Sequence, residues 1–215
     1  MGLVQLQQKW VLTLQGWVLL LLCLTALLLF CVTHIHPFLA LNAPIEADVL
    51  VVEGWIPDNS IKKAIAEFER GNYQMLITTG SPLSKGYYLA EYNNFAELAA
   101  ATLITLGFDE DKLVAVPAPP VQKDRTAAAA IALREWISAS NSPIKSINVY
   151  TDDTHARRSW LIYKQGLAPD IEVGVIAVNS IDYDPKYWWT YSTGVRKIIS
   201  ELIAYLYARL VNWQA

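Results

Sequence analysis

The chain has 215 residues, of which 53% are hydrophobic and only 17% are charged, a balance too apolar for an ordinary soluble protein. The net charge of −3 excludes the basic footprint of a nucleic-acid-binding domain, so we expect no nucleic-acid partner. Both cysteines, Cys23 and Cys31, lie in one apolar run, which excludes a disulfide framework or a cysteine zinc site in the remainder.

After a short tail (residues 1–10), the run at residues 11–33 contains no charged side chain and is long enough to cross a hydrocarbon core of about 30 Å. It exceeds the usual apolar core of a cleaved signal peptide, so a transmembrane anchor is favoured, although residues 41–43 keep a cleavage site open. Lys9 is the only basic residue before the run, and the next is Lys62. The positive-inside rule therefore predicts a single-pass plasma (inner) membrane protein with a cytoplasmic N-terminus and an exported C-terminal domain.

Residues 34–46 are predicted to form a linker, which contains Pro44. His34 and His36 form an H-x-H pair just outside the span. Two imidazoles without a carboxylate nearby make a poor metal site, so we interpret both as residues of the membrane interface and predict no metal.

Short β-branched runs alternate with longer amphipathic stretches through residues 47–215. This order predicts a Rossmann-like, doubly wound α/β domain with a parallel sheet of about five strands. The strands are expected within residues 47–55, 74–80, 111–119, 145–151 and 171–178, and the helices within 59–73, 89–107, 123–140, 153–166 and 186–213. The last helix is predicted to break near Gly194 and to pack on the domain or lie on the membrane surface. Four of its aromatic residues are expected to pack it over the sheet or to form a wall of the ligand pocket: Tyr187, Trp188, Trp189 and Tyr191.

In such folds ligands bind beyond the carboxyl ends of the strands. That rule selects a set of candidate ligand-binding residues: Glu53, Gly54, Gly80, Ser81, Arg125, Thr126, Thr151 and Arg158, with His155 as the candidate catalytic residue. The two glycines either let an anion approach the backbone or supply positive φ to a turn. Neither a G-x-G-x-x-G nor a P-loop motif is present, so we predict no cofactor.

The stretch KDRT opens a predicted helix, and Asp124 or Thr126 can cap it. Lys123 and Arg125 are less expected there, because the helix dipole disfavours cations at its N-terminus. An anionic partner would offset that cost.

The stretch TDDTHARR follows the fourth strand, and one of residues 152–154 can cap the next helix. His155 then lies in the first turn, where the dipole favours a neutral imidazole able to act as a base or hydrogen-bond partner. Arg158 is on the same helical face, whereas Arg157 points elsewhere. Glu53 ends a buried strand and needs a partner, either an arginine of the site or a substrate.

These segments resemble the YdcF-like family of bacterial domains, which includes the SanA and ElyC envelope proteins. The resemblance covers residues 48–176 and rests on VLVVEGW, LITTG, DRTAAAA and above all YTDDTHARRSW. It implies functional roles for Thr126, Thr151, His155 and Arg158. Glu53 stands where the family has a glycine-rich turn, which implies a different ligand.

The resemblance also implies a Rossmann-like domain, often with an N-terminal anchor, linked to maintenance of the envelope or of peptidoglycan precursors. We therefore expect an exported, membrane-anchored domain that binds, and in one version processes, an anionic, phosphate-bearing metabolite such as a lipid-linked precursor. Two alternatives stay open: a non-catalytic envelope scaffold, and a cytoplasm-facing domain that binds a nucleotide or S-adenosylmethionine. Whether the protein is an enzyme stays open as well.

Overall fold

A computed structural model describes residues 10–84, 91–140 and 143–210. The chain divides into two compact units, Met1–Ile35 and His36–Ala215. Helix α1 (Leu14–Leu39) has a mean hydropathy of 2.7 and is long and apolar enough to cross a membrane, features that a signal sequence near the N-terminus shares. It extends beyond the predicted span, so residues 34–39 of the predicted linker are helical.

The second unit is a five-stranded, all-parallel sheet in the order β3-β2-β1-β4-β5, which confirms the predicted Rossmann-like α/β fold. The elements in chain order are β1 (Val49–Glu53), α2 (Asp58–Arg70), β2 (Met75–Gly80), α3 (Phe95–Thr105), β3 (Leu113–Pro117), α4 (Arg125–Ala139), β4 (Ser146–Asp152), α5 (Ala156–Leu167), β5 (Glu172–Val178) and α6 (Ser192–Leu210). Short 3₁₀ turns occupy Glu110–Lys112, Asp153–His155 and Pro185–Thr190.

The central strand β1 is buried along its whole length because helices cover both faces of the sheet. Its alternate side chains face opposite layers. Leu50 and Val52 pack with residues of α2 and α3, whereas Val49 and Val51 pack with residues of α4 and α5. The apolar run that predicted a buried strand is therefore explained by a helix on either side.

Residues 40–46 lie along the free edge of β5. Ala43 forms an antiparallel bridge with Val175, and the Asn148 side chain exchanges hydrogen bonds with the backbone of Ile45 at 3.0 and 2.8 Å. This segment protects an edge that would otherwise expose unpaired backbone groups.

Three predicted details are wrong. Helix α3 starts at Phe95 instead of residue 89, because the Asn94 side chain accepts the Glu97 N–H at 2.9 Å and caps the helix; residues 85–90 lie outside the described part. The last helical segment breaks at Tyr191 and not near Gly194. Of its four aromatic residues only Trp188 is buried; the other three are exposed: Tyr187, Trp189 and Tyr191.

Candidate functional site

The strand order reverses direction between β1 and β4. The carboxyl ends of β1 and β2 and the turn after β4 line a cavity of about 890 Å³. A crevice at such a switch point is where doubly wound sheets bind ligands. Most of the predicted site residues line it: Glu53, Gly80, Ser81, Arg125, Thr126, His155 and Arg158. Gly54 and Thr151 do not line it; each lies directly behind the cavity wall, in contacts described below.

The two glycines serve the packing of helix α3. A Cβ atom on Gly54 would lie 2.2 Å from the Phe95 carbonyl oxygen, and one on Gly80 would lie 2.6 Å from the Phe95 Cβ. Neither glycine has positive φ, so the turn interpretation is wrong for both. Their lack of a side chain lets the first turn of α3 close over the ends of β1 and β2.

Glu53 is the deepest carboxylate of the site, with 2% of its surface exposed at the end of β1. Its Oε2 accepts a hydrogen bond from the Thr151 hydroxyl of β4 and another from the Ser159 hydroxyl of α5 at 3.0 Å. The His155 Nε2 lies 3.4 Å from the same oxygen. Glu53 therefore meets a histidine and two hydroxyls, and not the arginine that one interpretation of the sequence expected.

His155 connects Glu53 to a second carboxylate. Its Nδ1 lies 3.1 Å from Oε1 of Glu201 and 2.8 Å from Nη2 of Arg158, and its ring meets the Trp55 ring edge-on at 4.7 Å. A neutral ring that keeps its proton on Nε2 accepts the Arg158 hydrogen bond at Nδ1. The Nε2 atom lies near the Glu53 carboxylate but is buried without a hydrogen-bond partner among the described residues.

Glu201 comes from α6 and was missed by the sequence analysis. Arg158 binds it in a two-pronged ion pair, with Nε 2.8 Å from Oε2 and Nη2 3.1 Å from Oε1. Burial alone raises the pKa of Glu201, but hydrogen bonds and charges from His155 and Arg158 outweigh burial and bring that pKa to about 2. The signal that marked Glu201 in the sequence was a lone carboxylate in an apolar helix.

We call Glu53, His155, Arg158 and Glu201 the cavity cluster. Its two carboxylates and one guanidinium leave an excess of one negative charge, which a protonated His155 cancels. Arg158 is fully matched by Glu201, so the free positive charge of the cavity lies elsewhere.

That charge is at the start of α4. Lys123 and Arg125 line the cavity, are exposed, and have no carboxylate within ion-pair distance among the described residues. Asp124 sits at the N-cap position with φ of 57°, and its side chain makes no capping hydrogen bond. The first intrahelical bond goes from Ala128 N–H to Asp124, so the preceding amides lack a helical partner.

A second group of polar residues lies at the ends of β4 and β5: His36, Asp152, Asp153, Tyr183 and Lys197, which we call the interior cluster. Asp153 accepts from the Tyr183 hydroxyl and lies 3.1 Å from the His36 Nε2, while Asp152 pairs with Lys197 at 2.5 Å. Burial raises the pKa of Asp152, although Lys197 opposes the rise.

These contacts correct two predictions and confirm a third. Neither aspartate caps α5, whose N-cap position is His155 and has no side-chain cap, because both carboxylates are committed to the interior cluster. His36 is buried against Asp153 and is not an interfacial residue. Arg157 points away from the cavity, as predicted: it lies over the Phe38 ring at 4.1 Å and donates to the Phe38 carbonyl.

Within the described residues, no group of three or more His, Cys, Asp and Glu side chains is placed to hold a metal ion. No family model of known proteins matches the chain, and no curated protein matches it significantly. Function is therefore inferred from the geometry of the site.

Proposed function

We propose that the protein is a membrane-anchored, exported α/β domain that binds an anionic, phosphate-bearing metabolite in the cavity at the carboxyl end of the sheet, in the biogenesis or maintenance of the bacterial cell wall. The observation that carries this proposal is the start of α4. Its first backbone N–H groups have no helical partner, and Lys123 and Arg125, which have no ion-pair partner within the described part of the chain, line the cavity. Helix N-termini with added positive charge are favourable sites for phosphate.

Part of the cavity lining favours a ligand that also has an apolar part. Ile203, Ala204 and Tyr207 of α6 line the same cavity as Lys123 and Arg125. A free inorganic anion would leave this apolar surface uncovered, whereas a phosphate attached to a carbon skeleton would contact both kinds of residue. A lipid-linked precursor has this composition.

Processing of such a ligand would fall to the cavity cluster. His155 lines the cavity between the carboxylates of Glu53 and Glu201, where its imidazole could exchange a proton with a bound ligand. Arg158 holds Glu201 in place and is a positioning residue in this proposal, not the ligand-binding residue that the sequence analysis expected.

The envelope assignment is supported by the resemblance to YdcF-like domains at DRTAAAA and YTDDTHARRSW and by the apolar helix α1. A reporter enzyme active only outside the cytoplasm, fused to the C-terminus, is expected to be active. Activity of a cytoplasmic reporter instead would favour the alternative of a cytoplasm-facing nucleotide- or S-adenosylmethionine-binding domain.

A non-catalytic scaffold is the second candidate, because His155 and Arg158 are engaged by protein groups. The variant H155A, compared with the natural chain at equal protein level, distinguishes ligand processing from a scaffold role. We expect a cell-wall defect if the cavity cluster processes a ligand, and no defect if the protein is a scaffold.

The binding proposal is tested with the full chain in detergent micelles and inorganic pyrophosphate as the probe, by calorimetric titration. We expect the double variant K123A/R125A to bind at least about tenfold more weakly, since each charge-assisted contact contributes roughly 1.5–3 kcal/mol. The matched control K62A/K63A removes two exposed cations from α2 and is expected to bind as the natural chain does. Equal affinities for both double variants would contradict the proposal.

A further inference from the structure

Helix α6 has an apolar stripe on its solvent side. Four side chains at intervals of four, three and four residues form it, with exposed fractions of 51, 63, 45 and 80%: Ile199, Ile203, Leu206 and Leu210. At 3.6 residues per turn these positions fall within about 60° of the helix circumference. We call them the α6 stripe. A contiguous exposed surface of this kind is typical of a contact with a partner.

The other outward helix faces of the second unit differ. Helix α2 turns Lys62, Lys63 and Glu69 to solvent. Helix α3 exposes Leu98 and Ile104, but these are six residues apart and so point in different directions. The exposed apolar residues of the α6 stripe are therefore contiguous, unlike the isolated ones on α3.

The surroundings of α6 indicate what covers the stripe. Phe38, in the last turn of α1, packs edge-on against Tyr205 of α6 with ring centroids 5.5 Å apart. Phe38 follows the predicted end of the span by five residues, about 8 Å along a helix. The headgroup layer of a bilayer is roughly 5–8 Å thick on each side. Tyr205 is in the C-terminal half of α6, so in an anchored chain this half contacts a residue that follows the span by only a few positions.

The charges at the stripe agree with an anionic lipid surface. Arg196 and Arg209 are exposed near its two ends, and neither has an ion-pair partner among the described residues. Apolar side chains flanked by arginines are typical of helices that lie in the interface of anionic membranes.

We propose that the α6 stripe lies on an anionic phospholipid bilayer as an interfacial helix. Ile203 belongs to the stripe and also lines the cavity, so this contact places the cavity mouth at the lipid surface. The inference rests on the membrane anchoring in the proposed function and adds a second, separate contact with the bilayer.

The test uses the full chain with C23A and C31A and a single new cysteine carrying an environment-sensitive fluorophore. I203C reports on the stripe, and I104C on α3 is the control, an exposed isoleucine on another helix (40% exposed, against 63% for Ile203). Both are reconstituted in phosphatidylcholine–phosphatidylglycerol vesicles. We expect the label at 203 to shift to shorter wavelength and to lose most of its emission with headgroup-region spin-labelled lipids, and the label at 104 to keep its emission.

Equal quenching at the two positions would overturn the inference. So would a wavelength shift at 203 without lipid quenching but with energy transfer between chains, since a second copy would then cover the stripe. Retention of the chain on vesicles after an alkaline wash is measured in parallel. If the chain is washed off, the anchoring itself fails; if it is retained and 203 is unquenched, only the docking fails.

Discussion

Two polar clusters take their residues from the same short stretch of chain and differ in what they face. Asp152 and Asp153 point into the interior cluster, whereas His155, two residues later, points into the cavity cluster. The interior cluster does not line the cavity, and its residues join the last turn of α1, the segment before α6, and α6 itself. The cavity cluster lines the cavity wall.

The two clusters should therefore differ in how much their polar residues contribute to stability. A closed network of buried charges holds elements together, and removing one partner leaves another buried and uncompensated. A network at a cavity wall has solvent or a ligand to replace a lost partner. We therefore expect substitutions in the interior cluster to affect stability more than those in the cavity cluster.

The largest effect is expected for D153A. It removes the shared partner of His36 and Tyr183 and leaves both polar groups buried, so we expect a loss of at least about 3 kcal/mol in the free energy of unfolding. Chemical unfolding of the full chain in detergent, followed by near-ultraviolet circular dichroism, measures it.

The matched control is D182A, which removes an aspartate whose side chain is 54% exposed and 3.9 Å from Lys197. Its cost should stay below about 0.5 kcal/mol. If D153A costs no more than D182A, the interior cluster does not hold the domain together.

E201Q should have the next largest effect, a loss of about 2 kcal/mol near pH 7, because Arg158 and His155 both lose their charged partner. The pKa of Glu201 is about 2 in the folded chain, against an ordinary value of 4.5. The contribution of Glu201 to the free energy of unfolding is therefore complete above about pH 4.5 and is lost as the pH falls towards 2.

Unfolding of the natural chain and of E201Q should then differ near pH 7 and converge only as the pH falls to about 2, in the same assay. E69Q, on the exposed face of α2, is the control and should match the natural chain at both pH values. A difference between E201Q and the natural chain that does not change with pH would contradict the ion pair as the cause.

Much of the fold was predictable because its signals are local. The buried run at β1, the glycine after it and the alternation with amphipathic stretches specify a parallel sheet, and the carboxyl-end rule then places Glu53, Arg125 and His155 at one edge. Each step depends on neighbours within a few residues.

The partners within the site were not predictable, because they depend on contacts between distant segments. Glu201 lies 46 residues after His155 on a helix with no periodic polar face. His36 lies 117 residues before Asp153 and looked like an interfacial residue beside an apolar run. In the same way, the close approach of Phe95 to Gly54 and Gly80 has no sequence signal beyond the glycines.

A smaller loss of stability is expected for S159A, which removes a hydroxyl that supports Glu53 of the cavity cluster. The Ser159 hydroxyl is fully buried and donates to Glu53 at 3.0 Å, but Thr151 donates to the same oxygen and remains. We expect a loss of about 1 kcal/mol in the denaturant assay. S138A removes an exposed helical hydroxyl of α4 and should cost close to nothing. A loss as large as that of D153A would remove the distinction between the two clusters.

R125A should give the smallest effect, with the opposite sign. Arg125 is the first residue of α4, has no ion-pair partner among the described residues, and sits where the helix dipole disfavours a cation. We therefore expect the substitution to stabilise the free protein by roughly 0.3–1 kcal/mol, while K62A, beyond the first turn of α2, leaves stability unchanged. Destabilisation by R125A would mean that Arg125 makes a stabilising contact in the free protein, and would contradict this prediction. Stabilisation, together with weaker pyrophosphate binding, would mean that the domain keeps a cation at an unfavourable position because the anionic ligand compensates for it.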